Sequence, residues 1–215
     1  MRRLLAVLLL VWPLAAEAKK PPPPPEWSAD VAAEDHVKAG TAAITAKKPD
    51  DAVAAFTVAL EKQPGCGIAQ LGLGRALVMA GRPAEALVPL DAAAKAFPDK
   101  LDVQIWLGRA QVGAGKPDDG LATAKAVLAT KPASVEAQRV AQEALIAKKD
   151  FAGAHVLLAE ARKVANVVAY NCLEGLVYAE EGDAAKAAEM LPLCQGVPDR
   201  ALYDALAAKV APPSP

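Results

Sequence analysis

A period of 34 residues runs through the chain and limits its possible folds more than any other feature. The segment Leu73–Leu87 (LGRALVMAGRPAEAL) aligns with Leu107–Leu121 (LGRAQVGAGKPDDGL), and Ala39–Val53 (AGTAAITAKKPDDAV) precedes the first by the same step. Apolar residues recur three and four positions apart within each copy, which predicts amphipathic helices. A unit of this length is a pair of helices that buries its apolar face by stacking on its neighbours. The chain is therefore expected to be a stack of helix pairs.

In the middle of each copy, the residue types predict the end of one helix and the start of the next. Glycine suits a helix that ends in the left-handed conformation, and proline suits the first position of a helix, where no N–H donor is needed. An acidic residue two places after the proline is favoured at the positive end of the helix dipole. The glycines are Gly81, Gly115 and Gly182, the prolines are Pro49, Pro83 and Pro117, and the acids are Asp51, Glu85 and Asp119.

The glycines and acids of Leu107–Gly120 also look like a phosphate-binding loop, but their chemistry argues against one. A nucleotide loop needs Ser or Thr after its Gly-Lys pair to reach magnesium, and here Pro117 follows. We therefore interpret Asp118 and Asp119 as residues of a helix start rather than metal ligands. The sequence predicts neither a cofactor nor a metal site.

The spacing of small residues and proline resembles the tetratricopeptide repeat family. If each unit is numbered so that its glycine is eighth, a small residue is twentieth and a proline thirty-second in three consecutive units. The eighth places are Gly40, Gly74 and Gly108, the twentieth are Ala52, Ala86 and Gly120, and the thirty-second are Pro64, Pro98 and Pro132. The aromatic residue expected at place four is absent throughout, and two later units, with Gln142 and Gly175 eighth, are degraded.

The resemblance implies an all-α fold, a right-handed α-solenoid of about five helix pairs plus a C-terminal capping helix. The units are expected at about residues 33–66, 67–100, 101–134, 135–167 and 168–197. Residues 198–210 are expected to form the capping helix, because Leu202, Leu206 and Val210 share one helix face.

Residues 1–18 have the features of a signal peptide: Arg2-Arg3, the apolar run Leu4–Leu14, and a small-residue cleavage site at Ala16–Ala18. The alternative is an uncleaved anchor, but the apolar run is shorter than the about 20 residues that span a bilayer. No cysteine follows the cleavage site, which argues against a lipid anchor. We predict export to the periplasm or cell envelope, without direct membrane insertion after cleavage.

Proline-rich segments flank the predicted solenoid. Residues 19–32 are interpreted as a linker, because the prolines of Pro21–Pro25 favour a stiff polyproline rod of about 15 Å. Residues 211–215 are interpreted as a disordered tail, since their prolines oppose a packed helix.

Charge and residue chemistry restrict the function classes. A formal net charge of −1 gives no reason to expect nucleic acid or an anionic membrane as a partner. His36 and His155 lie in different units, and the sequence holds no H-E-x-x-H, Cys-x-x-Cys or nucleophile-elbow motif. Covalent catalysis needs a base held against a nucleophile, and no such pair can be assembled. We therefore predict a protein that is not an enzyme.

The resemblance also implies a concave, peptide-binding groove built from the first helix of each unit. Its expected lining is Val37, Thr41, Leu71, Arg75, Val78, Ile105, Arg109, Arg139 and Glu143. Arg75 and Arg109 recur at one place of consecutive helices, and their guanidinium groups suit the carboxylates of an acidic peptide or a peptide C terminus. The alternative is that these arginines are solvated, or are paired with Glu143 or Asp102.

The cysteines leave a second question open. Three cysteines are an odd count for an exported chain, so at least one is unpaired or bonds to another molecule. Cys172 and Cys194 fall in the two helices of the fifth unit and form a possible disulfide. The family's geometry turns their places in different directions, which argues against the bond. The alternative is that both are separately buried small apolar residues.

Taken as a resemblance, the sequence predicts a scaffold of the bacterial cell envelope that binds one or more protein partners. A partner would offer an acidic or C-terminal peptide to the groove. The alternative function is a structural spacer or oligomerisation module, whose contacts use the convex face or the ends of the solenoid.

Overall fold

The computed structural model describes residues 25–165 and 167–211, and these ranges hold eleven α-helices and no β-strand. The helices are α1 (Val31–Thr45), α2 (Pro49–Lys62), α3 (Gly67–Met79), α4 (Pro83–Ala96), α5 (Leu101–Gly113), α6 (Pro117–Thr130), α7 (Val135–Ala147), α8 (Phe151–Val164), α9 (Ala169–Glu181), α10 (Ala184–Leu193) and α11 (Arg200–Val210). The predicted signal peptide, the first part of the predicted linker and most of the predicted tail lie outside the described residues.

The helices stack as five pairs, α1–α2 to α9–α10, and α11 packs against α9 and α10 at the C-terminal end. Each odd-numbered helix from α1 to α7 also contacts the next odd-numbered helix, whereas the even-numbered helices of the described chain do not approach one another closely. A stack in which one helix series is crowded and the other is splayed curves towards the crowded side. The odd-numbered helices therefore form the concave face. This arrangement confirms the predicted all-α solenoid with a capping helix.

The helix boundaries follow the residues that predicted them. Pro49, Pro83 and Pro117 are the first residues of α2, α4 and α6. Gly81, Gly115 and Gly182 have φ angles of 74°, 76° and 96°, in the left-handed region. A glycine enters this region at no steric cost, so the odd-numbered helices of these three units end where the sequence requires them to end.

Lysine takes the glycine's place in two other units. Lys47 and Lys149 have φ angles of 56° and 58°, and they stand one repeat before Gly81 and one repeat after Gly115. The amide of Lys47 donates to the Ile44 carbonyl at 3.0 Å, as the amide of Gly81 donates to the Val78 carbonyl at 3.1 Å. The turn therefore has the same geometry in these units. The two lysines adopt the left-handed conformation, which is unfavourable for a residue with a side chain.

Lys47→Gly is expected to raise the free energy of unfolding by about 0.5–1 kcal/mol, because a side chain in the left-handed region costs about 1–2 kcal/mol and the flexibility of glycine in the unfolded chain offsets part of that gain. Urea denaturation measures the change. Gly115→Ala is the reciprocal control, since a Cβ there would meet nothing within 4 Å and only the backbone conformation is tested. Equal stability of Lys47→Gly and the wild type would contradict the expectation.

Small residues at the eighth place let the two helices of a unit approach each other. A Cβ added to Gly40 would lie 2.8 Å from the ring of Phe56, and one added to Gly74 would lie 2.3 Å from Leu90 Cγ. Phe56 and Leu90 are almost fully buried in these seams. The fourth unit has Gln142 at this place, and its Nε2 instead donates to the Ala154 carbonyl at 3.2 Å. The degraded unit thus replaces close packing by a buried hydrogen bond.

The described part of the predicted linker, residues 25–30, lies against the solenoid. The amide of Glu26 donates to the Gly65 carbonyl at 3.1 Å, and the amide of Gly67 donates to the Glu26 carbonyl at 2.7 Å. The ring of Trp27 meets Phe97 edge-on, with the ring centroids 5.3 Å apart. These residues are therefore bound at the junction of the first and second units. Helix α1 begins at Val31, two residues before the expected start of the solenoid.

None of the helices in the described ranges has both the length and the apolar composition needed to cross a membrane.

Candidate functional site

The concave face carries a groove made of three adjoining pockets. The first, which we call the N-terminal pocket, lies between α1, α3 and α5 and has a volume of about 600 Å³. Thr41, Leu71 and Arg75 are among the residues that line it. The central pocket, of about 410 Å³, lies between α3, α5 and α7, and includes Val78 and Arg109.

The C-terminal pocket completes the groove. It has a volume of about 310 Å³, lies between α7 and α9, and is bounded by Ala205 of α11. The central and N-terminal pockets share Met79 and Trp106, while the central and C-terminal pockets share Arg139 and Glu143. One continuous surface therefore runs along the odd-numbered helices.

Trp106 organises the first half of the groove. Its ring is partly buried on α5, with the guanidinium carbon of Arg75 5.3 Å and that of Arg109 4.9 Å from the ring centroid. Both distances are within the range of cation–π attraction, about 6 Å. Arg109 belongs to the same helix as Trp106 and Arg75 belongs to α3, so the ring joins two helices. Trp106 was not among the predicted groove residues, although its position three residues before Arg109 places both on one helix face.

Arg109 is the most unusual charge in the groove. Its side chain is partly buried, and its Nε is fully buried with no hydrogen-bond partner among the described residues. Burial lowers the pKa of the Arg109 guanidinium, while the negative charge of Glu143 acts in the opposite direction. The group remains protonated at neutral pH, because an arginine cannot lose its proton in a protein. No carboxylate of the described chain forms an ion pair with the Arg109 guanidinium, although the charge of Glu143 acts on it.

Arg139 differs from the other two groove arginines, because the chain itself neutralises it. Its Nε lies 3.0 Å from Oε1 of Glu143, and its Nη1 lies 3.4 Å from Oδ2 of Asp199, just before α11. Glu143 is therefore the partner of Arg139 rather than of Arg109. Asp102 lines the N-terminal pocket with Arg75, but within the described ranges the two form no ion pair.

Two residues predicted to line the groove lie elsewhere. Val37 is only 8% exposed and belongs to the same core cluster as Ala69 and Ala76 of α3. The contact between α1 and α3 covers its place, which corrects the prediction for this residue. Ile105 is partly buried against the C-terminal core cluster and is absent from the walls of the three groove pockets. The walls of the three groove pockets therefore include neither Val37 nor Ile105.

The cysteines lie outside the groove. Cys172 and Cys194 form a disulfide between α9 and the end of α10, with their Cα atoms 5.0 Å apart, and both residues are fully buried. Cys172 does not face the groove, although the family's geometry would turn its place that way. Cys66 is a free, buried thiol, and burial raises its pKa. In the described ranges, no group of three or more His, Cys, Asp or Glu side chains is arranged to hold a metal ion.

Two family models, each described as a tetratricopeptide repeat, match residues 37–100 and 77–143. No curated protein matches the chain. Among solved structures, it is similar to a thermophilic tetratricopeptide repeat protein of Thermus thermophilus, at 18% identity over 83% of this chain and 99% of that one, with a TM-score of 0.67.

Two further solved structures share the fold at low identity. A MamA fragment from Desulfovibrio magneticus matches at 15% identity over 80% of this chain and 100% of that one, with a TM-score of 0.62. YrrB, described as a repeat protein with an unusual peptide-binding site, matches at 20% identity over 82% and 92%, with a TM-score of 0.54. Proteins of this type are generally non-catalytic scaffolds for protein interactions. The repeat geometry and the family matches together show that the chain belongs to the tetratricopeptide repeat family.

Proposed function

We propose that the chain is a non-catalytic scaffold that holds an extended, acidic segment of a partner protein in its concave groove. The observation that carries the proposal is the arrangement of Arg75 and Arg109 around the ring of Trp106. Neither guanidinium has a carboxylate partner in the described chain. A peptide carboxylate would supply one, whether it comes from an acidic side chain or from the C terminus.

The physical case rests on charge and desolvation. A hydrogen bond to a charged group contributes about 1.5–3 kcal/mol where water is partly excluded, and much less on an open surface. Arg109 is partly buried and Arg75 is exposed, so Arg109 is the stronger anchor and Arg75 adds a charge match at the rim. Trp106 and Met79 offer apolar contact beside both arginines. The peptide-binding site attributed to YrrB lends support by analogy of fold alone.

We further propose that the scaffold works in the bacterial cell envelope. The support is the signal-peptide pattern of residues 1–18, which lies outside the described residues. A buried disulfide between Cys172 and Cys194 is also typical of exported proteins. The intact mass of the protein from the exported fraction tests the location, because cleavage after Ala18 would leave Lys19 as the first residue.

Site-specific photo-crosslinking tests the binding face. A photoreactive phenylalanine at Met79, which belongs to two groove pockets, is expected to give light-dependent adducts with a protein partner in the source cell. The matched control is Val88 on α4, which is 75% exposed and lies on an even-numbered helix. Adducts at Val88 and none at Met79 would contradict groove binding and favour the spacer or oligomerisation alternative.

A further inference from the structure

The C-terminal pocket differs in chemistry from the rest of the groove. Leu173, Leu176 and Ile146 contribute its apolar surface. Its volume of about 310 Å³ equals that of roughly ten water molecules at about 30 Å³ each. This space is large enough for one bulky side chain of a ligand.

The charges around this pocket are already matched within the chain. Arg139 pairs with Glu143 and Asp199, and Glu180 pairs with Lys209 of α11, whose Nζ lies 2.6 Å from Oε1 of Glu180. Apart from Oε1 of Gln142, which has no hydrogen-bond partner among the described residues, what the pocket leaves without a partner is therefore apolar surface. The adjoining central pocket has the opposite character, because its Arg109 forms no ion pair within the described chain.

We infer that the groove recognises a bipartite peptide, in which an acidic residue meets Arg109 and a bulky aliphatic or aromatic residue fills the C-terminal pocket. This inference rests on the proposed function and specifies the partner's sequence chemistry. The acidic residue of the peptide is inferred from charge complementarity with Arg109. The apolar residue is inferred from the apolar walls of the C-terminal pocket, whose charged side chains are already ion-paired. A second charge in the C-terminal pocket would displace an existing ion pair or remain unpaired.

The geometry of the solenoid limits the spacing of the two ligand residues. The two pockets share a wall formed by Arg139 and Glu143, so their centres lie about one helix spacing apart, roughly 8–10 Å. An extended chain advances about 3.3–3.6 Å per residue, and a polyproline II chain about 3.1 Å. The acidic and the apolar residue are therefore two or three positions apart.

Selection from a displayed library of random peptides on the full chain tests the inference. The expected result is enrichment of an acidic residue with Leu, Ile, Met or Phe two or three positions away. Ala147→Trp, at an exposed edge of the C-terminal pocket, is expected to remove the apolar preference while leaving the acidic one. It should weaken the best wild-type peptide by about tenfold, because the apolar side chain is no longer buried.

Ala122→Trp is the matched control, since Ala122 is exposed on α6 and outside the groove, and it should select the same peptides as the wild type. Ala205→Leu fills the same pocket from α11 and serves as a second variant if Ala147→Trp does not fold. Acidic peptides without an apolar preference, or an unchanged preference in both pocket variants, would overturn this inference and leave the proposed function standing. Enriched peptides that bind equally well without Arg75 and Arg109 would overturn both.

Discussion

Replacing Arg75 and Arg109 together by alanine is expected to weaken the binding of acidic peptides by at least tenfold, with the thermal midpoint nearly unchanged. A tenfold loss corresponds to about 1.4 kcal/mol, which is slightly less than the about 1.5–3 kcal/mol that one hydrogen bond to a charged group contributes. The fold should tolerate the change, because neither arginine forms an ion pair in the described chain and the lost cation–π contacts with Trp106 contribute only about 0.5–1 kcal/mol each at accessible sites. Fluorescence anisotropy with a labelled, library-selected peptide measures the affinity, and circular dichroism measures the midpoint.

Two controls separate the groove from general electrostatics. Lys125→Ala removes one exposed cation from α6, outside the groove, and should change neither quantity. Replacing both arginines by lysine keeps the charge but removes the planar fork that matches a carboxylate, so it should give an intermediate affinity. If the alanine variant binds the peptide as tightly as the wild type does, the groove hypothesis is wrong and the spacer alternative takes its place.

The sequence predicted the fold because the decisive signals are local. Pro83 can open a helix and Gly81 can end one whatever surrounds them, and the repeat carries both to the next unit. Lys47 also adopts the left-handed conformation, but lysine as a residue type does not indicate such a turn. Only its register, one repeat before Gly81, could have revealed it.

The groove was less predictable, because its character depends on which side chains meet across units. Arg139 was predicted to line the groove, but its pairing with Asp199 joins residues 60 positions apart and depends on where α11 packs. The prediction that Val37 lines the groove failed for a similar reason, since the contact between α1 and α3 covers this residue. Trp106 was not predicted, because the aromatic residue expected from the family stands at place four of each unit, whereas Trp106 lies elsewhere on α5, on the helix face that it shares with Arg109.

Removing the disulfide, by Cys172→Ala with Cys194→Ala or by a reductant, is expected to lower the stability of the C-terminal end by about 2–4 kcal/mol. The bond spans 22 residues, and its main effect is to restrict the unfolded chain in that loop. Because each unit of a solenoid contacts only its neighbours, the loss should be local. Hydrogen exchange should quicken in α9 to α11 and stay slow in residues 67–132.

The variant itself is the control for the reductant. Dithiothreitol should accelerate exchange in the wild type and have no further effect on the double alanine variant, because Cys66 is a free thiol in both proteins.

The same local opening would remove the wall that Leu173 and Leu176 give to the C-terminal pocket. Reduction should therefore abolish the preference for an apolar ligand residue before it affects binding of the acidic residue at Arg109. Uniform acceleration along all helices would show instead that the solenoid unfolds as one cooperative unit, and would contradict this prediction.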